Sequence, residues 1–177
     1  NVLEHFNLHV RKGEQIALVG PTGAGKTTVV NLLTRFYDVK EGSVTIDGID
    51  VRHIKLKSLR NKVGVLTQDP FIFKGTVMEN IRYGRPDATD EECIAAAKAI
   101  FADSCIERLP HGYQEELAER GEGLSAGEKQ LISFARIIVK NPSVIILDEA
   151  TSSISSDMEK LIKDALDVLL RGKTAFI

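Results

Sequence analysis

The run Gly20-Pro21-Thr22-Gly23-Ala24-Gly25-Lys26-Thr27 constrains this chain more than any other feature. It matches G-x-x-x-x-G-K-[ST] and stands between a short apolar stretch, Gln15 to Val19, and a helical pattern predicted from Lys26 to about Tyr37. A strand that turns into a helix through glycines leaves main-chain N–H groups facing into the turn, and the positive end of the helix points at the same space. That geometry suits phosphate groups. Gly20, Pro21, Thr22, Gly23, Ala24 and Gly25 are expected to line the cradle, and Lys26 to place a charge on the β- and γ-phosphates. Thr27, with Thr28 beside it, offers hydroxyls, and the Thr27 oxygen is expected on Mg²⁺.

A second motif lies far along the chain, where Val144-Ile145-Ile146-Leu147 leads into Asp148-Glu149. The apolar run reads as a buried strand, so the two acids sit at its carboxyl end, where open α/β sheets bind ligands. Asp148 fits a Mg²⁺-anchoring acid, and Glu149 fits a base for an attacking water. Adjacent carboxylates beside a triphosphate repel one another unless a divalent cation lies between them, so the arrangement requires bound metal.

Between these motifs the pattern alternates. Phe6, Leu8 and Val10 alternate with polar neighbours and predict a half-buried strand, with Phe6 a core residue. Asp47-Gly48 between Val44-Thr45-Ile46 and Ile49-Asp50-Val51 predicts a two-residue hairpin turn. Val63 to Thr67 reads as a further strand. From Thr76 to Lys140 the pattern is helical: Thr76 to Arg82, an Ala-rich helix capped by Thr89 with Glu92, and a helix with Leu131, Phe134, Ala135 and Ile138 on one face, ended by Pro142. Met158, Leu161, Ile162, Ala165, Leu166 and Leu169 form a last amphipathic stripe before Thr174 to Ile177. Strands alternating with helices predict a parallel sheet with helical crossovers. The expected fold is α/β over a single domain, 1–177. Residues 1–68 and 141–177 are expected to form a mostly parallel core with an antiparallel β part, and 69–140 an inserted α-helical subdomain.

With these motifs in place, the chain resembles the nucleotide-binding domain of an ABC transporter, a phosphate-loop NTPase, over nearly its whole length. Gln68 follows a strand at the position of the family's Q-loop, and Leu124-Ser125-Ala126-Gly127-Glu128 resembles the L-S-G-G-Q signature. Gln68-Asp69-Pro70-Phe71-Ile72-Phe73-Lys74-Gly75-Thr76 and Glu119-Arg120-Gly121 resemble the exporter branch in particular. The resemblance implies ATP and Mg²⁺ as ligands and a head-to-tail dimer with a second nucleotide-binding domain. It also implies a transmembrane domain as partner and a place at the cytoplasmic face of a membrane. It makes Glu149, Lys26 and Gln68 catalytic and puts Gln68 with Thr27 and Asp148 around the metal. Ser125, Gly127 and Glu128 would face the γ-phosphate held by the second subunit. Ser125 and Glu128 also satisfy S-x-x-E, an ordinary capping box, and the two readings are compatible.

The chain departs from the family pattern at several positions. Ala126 replaces the first signature glycine, Glu128 replaces glutamine, Ser155 stands where a D-loop aspartate is usual, and Ala118 stands where a glycine precedes Glu119. These departures leave open a clamp or regulatory module with little or no turnover. A GTPase or small kinase is disfavoured, because Asn61-Lys62-Val63-Gly64 lacks the acid of the guanine motif. The chain opens at Asn1 without methionine and stops in an apolar run, as expected of an excised fragment. The family's adenine-stacking aromatic and switch histidine are expected outside it.

Composition narrows the partners. A net charge of -2 lacks the basic excess that phosphate-backbone binding requires, so nucleic acid is not an expected partner. Cys93 and Cys105 are too few for a disulfide framework and read as buried free thiols. No signal peptide or membrane-spanning run is found in the sequence. The four histidines show no ligand spacing.

Overall fold

A computed structural model describes residues 3–21, 23–67, 69–147 and 156–177, the side chains of Ser156 and Asp157 excepted. In chain order the elements are β1 (Gln15–Ile16), α1 (Lys26–Leu33), β2 (Thr45–Ile46), β3 (Ile49–Asp50), α2 (Leu56–Lys62), β4 (Val63–Leu66), β5 (Gly75–Thr76) and α3 (Val77–Arg82). There follow α4 (Asp90–Ala99), α5 (Asp103–Ile106), β6 (Glu116–Leu117), α6 (Ala126–Lys140), β7 (Val144–Leu147), α7 (Ser156–Leu170) and β8 (Thr174–Phe176). Among the described residues no helix is long and apolar enough to cross a membrane.

The core is a parallel sheet in the order β1-β8-β7-β4. Ile145, Ile146 and Leu147 in β7 are all buried, as expected of a strand covered on both faces. Successive side chains point to opposite faces. Ile145 and Leu147 join one apolar cluster with Phe134 of α6 and Ile162 of α7, and Ile146 joins Val51, Leu59, Val63 and Phe176 in a second. Complete burial of a side chain of this size contributes roughly 1.5–3 kcal/mol. Close approach is built in at Gly64, where a Cβ would lie 2.8 Å from the Pro142 ring and 3.2 Å from Ile137 of α6. α6 therefore packs directly on β4.

Two small antiparallel pairs complete the strands, β2 with β3 and β5 with β6. The first has the expected turn, with Asp47 at φ 51 and Gly48 at φ 78. The two predicted caps, at Thr89 and Ser125, also form, and Thr76 adds a third. Thr76 with Glu79, Thr89 with Glu92 and Ser125 with Glu128 each make a reciprocal capping box at the start of α3, α4 and α6. α6 ends in a left-handed Asn141 directly before Pro142. Cys93 and Cys105 are buried and free, and burial pushes the Cys93 thiol pKa up.

Several expectations fail. Phe6 to Val10 is not a strand, and Phe6 and Leu8 are 51% and 44% exposed, so Phe6 is not a core residue. Among the described residues no strand pairs with that segment. β1 is also shorter than Gln15 to Val19, although its ladder to the last strand continues through Leu18 N–H to Ile177 O at 2.6 Å. α1 ends at Leu33 rather than near Tyr37. The Thr34 hydroxyl bonds back to Val30 O at 2.9 Å. Arg35 then takes a left-handed conformation, from which it donates to Val51 O and pairs with Asp38. Tertiary partners thus override helix propensity there.

Candidate nucleotide site

The loop between β1 and α1 carries the first motif. Gly23 and Gly25 stand at φ 86 and φ 100, conformations that an L side chain rarely adopts. Gly25 is the N-cap of α1 and provides no side-chain bond to the helix amides. The first turn contains no acidic residue either, so its donors are left for water or a ligand. Ala24 N–H closes the loop on Pro21 O at 3.1 Å. The Lys26 ammonium folds over the same loop and donates to Gly20 O and, at 3.3 Å, to Pro21 O. Thr27 is exposed and Thr28 is half-buried. Open amides, one cation and accessible hydroxyls together fit a phosphate chain with a metal ion beside it. Thr22 lies outside the described residues.

Parallel pairing sets where the other motif emerges. Ile16 is level with Phe176, Phe176 with Ile146, and Ile146 with Val65. All four strands run the same way, so the chain leaves β1, β4 and β7 along one edge of the sheet. Adjacent strands are about 4.8 Å apart, so the exits of β1 and β7, with β8 between them, are separated by roughly 10 Å. Asp148 and Glu149, next in sequence after Leu147, lie outside the described residues, as do Gln68 and Ser155.

The signature-like segment opens α6. Ser125 Oγ and Ser125 N–H both donate to the Glu128 carboxylate at 2.8 Å, and Glu128 N–H donates back to Ser125 Oγ at 3.3 Å. Both side chains are therefore engaged within their own turn. Gly127 is buried against α7, and a Cβ there would sit 2.8 Å from the Met158 sulfur. Glu119-Arg120-Gly121 forms a tight turn in which Arg120 stands at φ 61 and donates its N–H to Ile72 O at 2.9 Å.

Arg136 belongs to none of the motifs in the sequence. In the structure Arg136 anchors the wall between α6 and the segment after β4. The available signal was one cation within an otherwise buried helix face. Arg136, Arg60 and Lys140 line a groove of about 380 Å³ together with Phe36, Phe71 and Tyr83. Lys140 Nζ donates to Val63 O at 2.8 Å, and burial pushes its pKa down.

Comparison with known proteins agrees with this arrangement. Residues 3–152 match the ABC transporter family. An uncharacterized ABC transporter ATP-binding protein of Bacillus subtilis, YknV, is 51% identical over 173 residues, 98% of this chain and 29% of that protein. The putative multidrug export ATP-binding/permease protein YgaD of the same organism is 49% identical over 177 residues, 100% of this chain and 30% of its own length. A bacterial Atm1-family ABC exporter solved with ATP bound superimposes with a TM-score of 0.85 at 43% identity, covering 94% of this chain and 29% of that one. The chain thus spans about three-tenths of the length of these relatives. A glycine loop opening α1, a parallel sheet that gathers its exits on one edge and a match over most of the sequence lead to one assignment: the chain belongs to the ABC transporter family, as an exporter-type ATP-binding domain.

Proposed function

We propose that this domain hydrolyses ATP at an interface with a second nucleotide-binding domain and that the hydrolysis drives export through a transmembrane partner. The uncapped first turn of α1 is the observation that carries the reading, because it leaves amides free at the end of β1. The 20–28 loop would hold the phosphates, with Lys26 releasing a loop carbonyl to reach them. Thr27, Asp148 and Gln68 would hold Mg²⁺, which when bound offsets the negative charge of the β- and γ-phosphate oxygens. Glu149 would accept a proton from water as its oxygen attacks the γ-phosphorus. The bond from that phosphorus to the bridging oxygen breaks, giving ADP and phosphate. Ser125, Gly127 and Glu128 would meet the γ-phosphate bound by the partner domain, using the positive end of α6.

The membrane partner would lie against the end of β4, with Gln68 linking it to the nucleotide. The aromatic and cationic groove beside β4 suits a segment of the permease part that the longer relatives carry. Residues 69–140 would then act as a helical subdomain relaying that contact.

In the full-length protein, Glu149→Gln is expected to keep ATP affinity while cutting turnover at least ~10²-fold through loss of the base. An unchanged hydrolysis rate would reject Glu149 as the base. Tight ATP binding by the wild type without measurable turnover would favour the clamp reading instead.

A further inference from the structure

Arg136 lies within α6 on the side that meets α3 and the segment after β4. Its Nε donates to Asn80 O at 2.6 Å, Nη1 donates to Phe71 O, and Nη2 donates to Asn80 Oδ1. Asn80 is 2% exposed and fully committed. Its amide donates to Phe73 O and Thr76 O, both at 2.9 Å, and its oxygen also accepts from Phe73 N–H at 2.9 Å. The guanidinium carbon lies 5.3 Å from the centre of the Phe73 ring, which packs in turn on Tyr83. At Gly84 the chain after α3 runs so near α6 that a Cβ would come within 2.9 Å of the Arg136 carbonyl carbon. Among the described residues no carboxylate pairs with Arg136. Burial without a counter-ion pushes its pKa down to about 10.

A half-buried cation held only by neutral oxygens is a poor device for stability, since an apolar side chain of similar volume often serves as well. What arginine adds is a rigid planar fork that fixes several acceptors at once, which a lysine cannot reproduce. Here the acceptors belong to residues 71 and 80, while the arginine belongs to the helix whose first turn is Ser125 to Glu128.

We infer that Arg136 is a positioning residue that locks segment 71–80 to α6, so that the signature end of α6 and the chain leaving β4 move as one body between nucleotide states. The inference rests on the proposed ATPase function and names how its two ends are joined. Arg136 donates to none of residues 20–28.

Hydrogen exchange followed by mass spectrometry on the full-length protein, with and without Mg-ATP plus vanadate, tests the lock. In the wild type, segment 71–80 and the first turn of α6 are expected to change protection together. In Arg136→Lys, which keeps the charge and the aliphatic stem, the α6 response should persist while the 71–80 response is lost. With the melting temperature unchanged, kcat should fall about 10- to 100-fold with KM for ATP within about twofold, the pattern of misplaced rather than missing chemistry. Joint responses persisting in Arg136→Lys would overturn the inference. So would independent responses of the two segments in the wild type, a result that needs no variant to fold. Failure of the wild type to bind a fluorescent ATP analogue would instead remove the ATPase reading beneath it.

Discussion

At the start of α6, Ser125 and Glu128 satisfy each other's backbone amides, whereas α1 starts from Gly25 at φ 100 with no side chain over its amides. α3 and α4 follow the α6 pattern, with Thr76 and Glu79 in one and Thr89 and Glu92 in the other. A missing cap ordinarily costs about 1 kcal/mol; α2 and α5 also start without a side-chain cap, so what sets α1 apart is that its bare start follows a glycine turn with Gly23 and Gly25 at positive φ. Capped starts stabilise the fold by themselves. The open start of α1 forgoes that stabilisation and leaves its donors to water or a ligand.

The contrast predicts effects that differ in kind as well as in size. Lys26→Ala removes the cation over the open start and should weaken Mg-ATP binding roughly 10- to 100-fold, the loss of one charge-assisted bond, with little change in melting temperature. Calorimetry finding equal affinity would break the contrast at its strongest point. Gly25→Ala should cost ~1–2 kcal/mol, because a Cβ is forced into a left-handed conformation; an unchanged thermal midpoint would show that the loop refolds without cost. Ser125→Ala should behave in the opposite way to Lys26→Ala. It should lose ~1 kcal/mol, a fall of ~2–4 °C in melting temperature for a domain of this size, while ATP affinity at the Gly20 loop of the same chain holds. A normal melting temperature would mean that the box contributes nothing to the fold.

The smallest effect concerns another helix start, the short 3₁₀ turn Val51–His53, whose cap Asp50 accepts from Arg52 N–H. The Arg52 side chain, and then its backbone N–H, hold the Asp50 carboxyl down at about 2. A carboxyl whose pKa falls on folding adds stability that is complete above its unfolded value, ~3.9, and is lost as pH falls through about 2. Nuclear magnetic resonance titration of Asp50 should therefore show a midpoint well below that of an ordinary aspartate. A midpoint near the ordinary value would mean that the Arg52 contacts do not persist in solution.

The starts of α4 and α6 were legible in the sequence because a cap is a local rule: Ser125 and Glu128 are three residues apart and need nothing else to meet. The Asp47-Gly48 hairpin was legible for the same reason. Phe6 to Val10 has strand periodicity, but a strand needs a neighbour, and alternation says nothing about whether one lies alongside. The early end of α1 depends on Arg35 reaching Val51 and Asp38, and the Val51 contact spans sixteen residues of chain. α2 and the β5–β6 pair also escaped the reading, the pair because Gly75 meets Leu117 from a distant part of the sequence. At the site, the Gly20 loop was readable from motif spacing alone. The Arg136 fork was not, since its acceptors are mostly backbone oxygens, which every residue possesses.

The position of β8 between β1 and β7 has a consequence for how the chain is made. Gln15 pairs with Ala175, so during synthesis the segment feeding the glycine loop emerges well before its partner strand and has no place in the sheet until residues near 175 leave the ribosome. Long-range parallel pairing of this kind is slow to form. The phosphate cradle, translated before α7 and β8, is thus one of the last parts of the domain to acquire its shape, and a nascent chain interrupted before residue 174 would carry the motif without its seat.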